Sequence, residues 1–106
     1  SNIFIDQRAT FTTTVTVSDA NGDAVNLSGY SVAAQIRKSF LSSSATAFTA
    51  SISNASAGEI TISLTDSQTT SLESGRYVYD VLITASGGTK TRVVEGQVTV
   101  NPSVTR

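Results

Sequence analysis

At 106 residues, with 7 basic and 8 acidic side chains and a formal net charge of −1, the chain has the length of one domain and no basic footprint for a nucleic acid or an anionic membrane. It holds no His and no Cys, so the commonest general base, the usual zinc ligands and the thiol nucleophile are all missing. A core of this size without a disulfide is thin, which points toward a multimer or an assembled particle.

In chain order, Ile3-Phe4-Ile5 predicts a short edge strand or an N-terminal arm over residues 1–7. Residues 8–18 alternate, with Phe11, Thr13, Val15 and Val17 on one face. Asn21-Gly22 is a hairpin signal because both positions tolerate φ > 0, and Val25 and Leu27 resume the alternation beyond it. Residues 31–38 put Val32, Ala34 and Ile36 on one face and Gln35 and Arg37 on the other. Phe40-Leu41 precedes a flexible polar loop at Ser42-Ser43-Ser44. Residues 46–53 read as one strand carrying Phe48, Ala50 and Ile52 inward, and residues 59–64 as another carrying Ile60, Ile62 and Leu64. A single helical turn follows at residues 65–72, capped by Thr65 or Asp66, with Leu72 packing back beneath it. Residues 76–85 and 90–100 form a closing hairpin around Ser86-Gly87-Gly88-Thr89.

Ser and Thr make up nearly a third of the chain and fall at alternate positions, as in Thr12-Thr13-Thr14-Val15-Thr16-Val17. Thr is β-branched and suits strands while its hydroxyl keeps one face wet, so the pattern predicts sheets with one apolar and one polar face. The stretch Leu72-Glu73-Ser74-Gly75-Arg76-Tyr77-Val78-Tyr79 refines this. Leu72, a Gly75 able to take φ > 0 and Tyr77 at the head of an alternating strand are the pattern of a tyrosine corner, whose phenol bonds back to the upstream backbone. In antibody domains a Cys sits at the Tyr79 position. The fold expected is a single all-β domain, an immunoglobulin-like antiparallel β-sandwich of about seven strands with a short helical turn before the penultimate strand. An N-terminal arm (1–7) and a C-terminal tail (101–106) flank it.

Candidate chemistry is sparse. Asp19, Asn21 and Asp23 around Gly22 resemble the opening of a calcium loop, but the later bidentate Glu is missing and a solvated hairpin turn is favoured. Asp66, Glu73, Asp80 and Glu95 offer carboxylates for glycoside hydrolysis, yet so small a sandwich has no room for a deep cleft. Arg37, Arg76 and Arg92 are expected to pair across strands with Asp80 and Glu95. No catalytic, cofactor-binding or metal-binding residue is assigned, no cofactor is expected, and the chain reads as a non-enzyme. The final hairpin points outward instead. Val78 and Leu82 lie opposite the apolar face of Tyr77, Tyr79, Val81 and Ile83, and Val93 opposes Val94, Val98 and Val100, with Gly96 allowing a bulge or a close backbone approach. Two partly dry faces call for a cover: another copy, a neighbouring protein or the N-terminal arm.

The runs Phe11-Thr12-Thr13-Thr14-Val15-Thr16-Val17-Ser18-Asp19, Gly22-Asp23-Ala24-Val25-Asn26-Leu27-Ser28-Gly29-Tyr30, Ala34-Gln35-Ile36-Arg37 and Gly75-Arg76-Tyr77-Val78-Tyr79-Asp80 resemble small immunoglobulin-like structural proteins of tailed-phage virions. The similarity is to the N-terminal domain of phage baseplate upper proteins, and it covers most of the chain through turn and strand patterns. It implies a virion component that docks on a tail, baseplate or neck scaffold through edge strands and terminal segments. The implied partners are other virion proteins, with neither nucleic acid nor membrane. Candidate docking residues are Ile3, Phe4, Ile5, Phe40, Leu41 and Val104. The chain ends without the coiled coil or receptor-binding region of a baseplate adaptor, which keeps a separate small accessory subunit open. A head decoration protein is the alternative within that class. An adhesion module that binds host glycan through residues 40–44 and 86–89 is the alternative outside it.

Overall fold

The computed structural model describes residues 2–39 and 45–102. Its elements are β1 (Ile3–Asp6), β2 (Phe11–Thr16), β3 (Ser31–Arg37), β4 (Ala45–Ala47), β5 (Thr49–Asn54), β6 (Glu59–Leu64), α1 (Asp66–Ser71), β7 (Gly75–Thr84) and β8 (Lys90–Asn101). They build a five-stranded sheet in the order β1-β8-β7-β3-β4 and a three-stranded sheet in the order β2-β6-β5. Strands β8-β7-β3-β4 and β2-β6-β5 thus follow the G-F-C-C′ and B-E-D orders of an immunoglobulin-like sandwich. Among the described residues no helix is long and apolar enough to cross a membrane.

Period-two alternation decides what each strand buries. In β6, Ile60, Ile62 and Leu64 point inward and are fully buried, while Thr61 and Ser63 face out. Ile5, Ile36, Val81 and Val98 supply the other half of the core from the larger sheet. Each such side chain contributes roughly 1.5–3 kcal/mol on leaving water.

Three features differ from the sequence expectation. The stretch 46–53 divides into β4 and β5: Thr46 pairs with Ile36 in the larger sheet, and Ala50 pairs with Ile62 in the smaller one. Alternation reports which face a residue takes, not which sheet receives it, so one expected strand becomes two. Secondly, β2 is shorter than the alternation over residues 8–18, because the chain turns at Arg8 with φ 69°. Thirdly, of the edge strand or arm expected over residues 1–7, residues 3–6 take the edge-strand form, and it is parallel. They form a strand parallel to β8, with Ile3 opposite Val98 and Ile5 opposite Val100, so the larger sheet is not wholly antiparallel.

Phe48 stands where the chain changes sheets. Its N–H still donates to Ala34 O of β3 at 3.0 Å, and its ring lies 6.1 Å from Phe11 of β2 and 6.3 Å, edge-on, from Tyr79 of β7. This aromatic run links the two sheets at the Tyr79 position, where antibody domains place their inter-sheet disulfide.

Helix α1 is short but fully capped. Thr65 Oγ1 accepts from Gln68 N–H at 3.2 Å, and Gln68 Oε1 accepts from Thr65 N–H at 2.9 Å. Two further bonds clamp it to the turn after β1: the buried Thr69 hydroxyl donates to Ala9 O at 2.9 Å, and Gln7 Nε2 donates to Leu72 O at 2.7 Å.

Candidate interaction surfaces

The corner between α1 and β7 is built from Leu72, Gly75 and Tyr77. Leu72 is buried under the helix, Gly75 takes φ 136°, and the Tyr77 hydroxyl donates to Glu73 O at 2.9 Å. Burial, reinforced by the Glu73 carboxylate, pushes the Tyr77 phenol above its ordinary value. Lys38 Nζ sits 4.7 Å from the centre of the same ring. These contacts are internal and give the corner a structural role.

Of the six candidate docking residues, Phe40, Leu41 and Val104 lie outside the described residues. The other three divide. Ile3 and Ile5 belong to the domain's own core, at 8% and 0% exposed, so their side chains are not available to a partner. Phe4, between them, is 67% exposed and is the one exposed large hydrophobic side chain among the described residues. The correction has a simple cause: three apolar residues in a row carry no phase, and the strand supplies one by pairing with β8.

A second surface is assembled from distant parts of the chain. Val17, Ser18, Val25, Tyr30, Ile83, Thr91, Arg92 and Val93 line a groove of about 410 Å³. It is walled by Ile83 of β7, by Thr91–Val93 of β8 and by residues outside the strands, Val17 and Ser18 just past β2 among them. Among the described residues β2 pairs only with β6, and β1 reaches β8 only from Val98 to Asn101. Along Thr91–Val93 no strand among the described residues pairs with the side of β8 away from β7, whereas Val17 is held by Gly58 and Val25. Val93 is the extra residue of a bulge in β8, since Val81 pairs with Val94 and Leu82 with Arg92. The bulge falls there and not at Gly96, which sits opposite Tyr79. The doubled Val93-Val94 was the one local sign of this groove; its other walls come together only in the fold.

On the outer face of the larger sheet, Asp80 lies directly opposite Glu95, an unfavourable pairing of like charges. Arg92 offsets it, with Nε 3.2 Å from Asp80 Oδ2 and Nη1 3.5 Å from Glu95 Oε2. Pairs this exposed are worth about 0–1 kcal/mol each. Arg37 donates to Gln35 Oε1 at 3.1 Å on the neighbouring strand. A shallow cleft of about 200 Å³ runs past Ala33, Gln35, Asp80, Leu82 and Lys90. The half-buried Val78 and Leu82 stay on this outer face, uncovered by β1.

Two other carboxylates, of Asp19 and Asp66, serve local structure. Asp19 Oδ1 accepts from the N–H groups of Asn21 and Asp23 at 2.9 and 3.0 Å, so it shapes the turn around Gly22. Asp66 opens α1, its Oδ1 accepting from Ser67 N–H at 2.9 Å. Among the described residues no group of three or more Asp or Glu converges as a metal site would require. No family model matches the chain, and no curated protein matches it in sequence.

Proposed function

We propose that the chain is a non-enzymatic structural subunit of a phage particle, docking on a tail, baseplate or neck protein through its free strand edges. The observation that supports docking is the open edge of β8 at Thr91–Val93 beside a groove of about 410 Å³ with Val17, Val25, Ile83 and Val93 in its walls. Surfaces of this kind accept an added strand, with main-chain bonds giving affinity and side-chain pockets giving specificity. Asp19 is held in a turn, Asp66 at a helix start, and Asp80 and Glu95 in a cluster with Arg92. The phage assignment rests on the sequence resemblance in the strand and turn patterns of residues 11–37 and 75–80.

Cross-linking mass spectrometry on intact particles tests this, with Lys38 and Lys90 as the amine handles. Links to tail, baseplate or neck proteins are the expected result. Links confined to the major capsid protein would reassign the chain as a head decoration protein. Failure to co-purify with any particle, together with retention of host polysaccharide by the purified chain, would replace the proposal with the adhesion reading.

A further inference from the structure

Strand β1 is a four-residue edge of the larger sheet. Edge strands of soluble proteins are commonly blunted by Lys, Pro, a bulge or extreme shortness. In this fold β4 has three residues and β5 carries a bulge between Ile52 and Asn54. β1, Ile3-Phe4-Ile5-Asp6, has no Lys, no Pro and no bulge, and it exposes Phe4.

The direction of its backbone groups follows from one bond. Gln7 N–H donates to Asn101 O at 3.0 Å, and Asp6 pairs with Asn101 in a parallel ladder. The N–H and C=O of Ile3, Ile5 and Gln7 therefore face β8, and those of Asn2, Phe4 and Asp6 face away from it. Phe4 thus combines an outward-facing backbone with an exposed aromatic ring.

We propose that β1 is the seat of a two-fold contact between two copies of this chain, pairing antiparallel about Phe4. The chemistry of the edge selects both the partner and the register. Centred on Phe4, the pairing sets every outward-facing residue opposite another: Phe4 against Phe4, Asn2 against Asp6, Asp6 against Asn2. The two Phe4 residues exchange both N–H···O=C bonds and bring their rings together on one face. Ile3 and Ile5 stay on the other face, each within its own domain's core. Shifting the register toward Asp6 would oppose the two carboxylates. Because the Asp6 carbonyl already accepts from Ala9 N–H at 3.3 Å, the central Phe4 pair carries most of the contact. The two five-stranded sheets then form one continuous sheet. This contact needs no particle and stands independently of the virion reading.

The test uses the purified chain. Sedimentation equilibrium of the unaltered protein should show a mass rising toward twice the monomer's with concentration. Phe4→Pro removes an N–H that takes no part in the β8 ladder, so this variant should keep its β-sheet spectrum and remain monomeric. Phe4→Lys should weaken association roughly tenfold or more by placing like charges opposite one another. The chain has no cysteine, and opposed residues in a hydrogen-bonded antiparallel pair have Cα atoms about 5.5 Å apart, within disulfide range. Phe4→Cys should accordingly give a covalent dimer under mild oxidation, whereas Thr14→Cys, on the outer face of the smaller sheet, should stay monomeric. A protein that remains monomeric at millimolar concentration, a Phe4→Pro variant that dimerises like the parent, or a Phe4→Cys variant that links no faster than Thr14→Cys would each overturn the proposal.

Discussion

The Tyr77 hydroxyl donates to the backbone carbonyl of Glu73 across 2.9 Å, and this contact closes the corner through which the chain passes from α1 into β7. Removing the hydroxyl alone leaves the ring in place under Lys38. Tyr77→Phe should therefore lower stability by about 1 kcal/mol, the net worth of one such bond. A fall in the urea midpoint with an unchanged slope is the result expected.

The same residue sets an alkaline limit. Burial first, and then the Glu73 carboxylate, raise the Tyr77 phenol in the folded state above its unfolded value of about 10. The folded chain thus holds the phenolic proton more tightly than the unfolded chain. Its contribution is complete below about pH 10 and is lost as pH climbs through the raised folded value. Stability measured between pH 8 and 12 should fall less steeply in Tyr77→Phe than in the parent.

Gly58 is fixed by crowding. A Cβ there would stand 2.6 Å from Val17 O and 2.9 Å from Val25 O, at φ +67°. The backbone cannot retreat freely, because Gly58 O accepts from Val17 N–H at 2.8 Å. Gly58→Ala should cost roughly 2–4 kcal/mol. Gly22, also at positive φ but with open space around it, provides the comparison: Gly22→Ala should cost about 1 kcal/mol, from conformation alone.

Thr69 is fully buried, and its hydroxyl bonds to both Ala9 O and Asp66 O, at 2.9 and 3.1 Å. Thr69→Val keeps the shape and removes the donor. It should cost about 1–3 kcal/mol by leaving Ala9 O unsatisfied. Hydrogen exchange should rise first in the turn joining β1 to β2.

Phe48 touches Phe11 on one side and Tyr79 on the other, so truncating it opens a cavity between the sheets. Phe48→Ala should cost about 3–5 kcal/mol. A double-mutant cycle between Phe48 and Tyr79, with Tyr79→Leu as the second change, should return a coupling of about 0.5–1.5 kcal/mol.

What could be read from the sequence was local. Leu72, Gly75 and Tyr77 mark the corner within a few residues, Thr65 announces its own cap, and Ile60, Ile62 and Leu64 declare their face by alternation. The unreadable parts depend on partners far away in the chain. Ile3-Phe4-Ile5 contains no polar residue to set its phase, so only pairing with β8 reveals that Phe4 faces out. Phe48 sits in an unbroken alternation, and nothing local marks the change of sheet. The groove combines Val17 and Val25 with Ile83 and Val93, which no window of sequence spans.

The pairing of β1 with β8 also orders events in time. Asp6 and Asn101, whose side chains meet at 3.3 Å, are 95 positions apart, so the edge of the larger sheet closes only after residue 101 has been made. β2, β5 and β6 can come together while β7 and β8 are still being made. Until β8 arrives, Ile3 and Ile5 have no ladder to join and remain accessible to chaperones and to other nascent chains. A closure this non-local places folding in the millisecond-to-second range typical of β-sandwiches, with β1 among the last elements to settle.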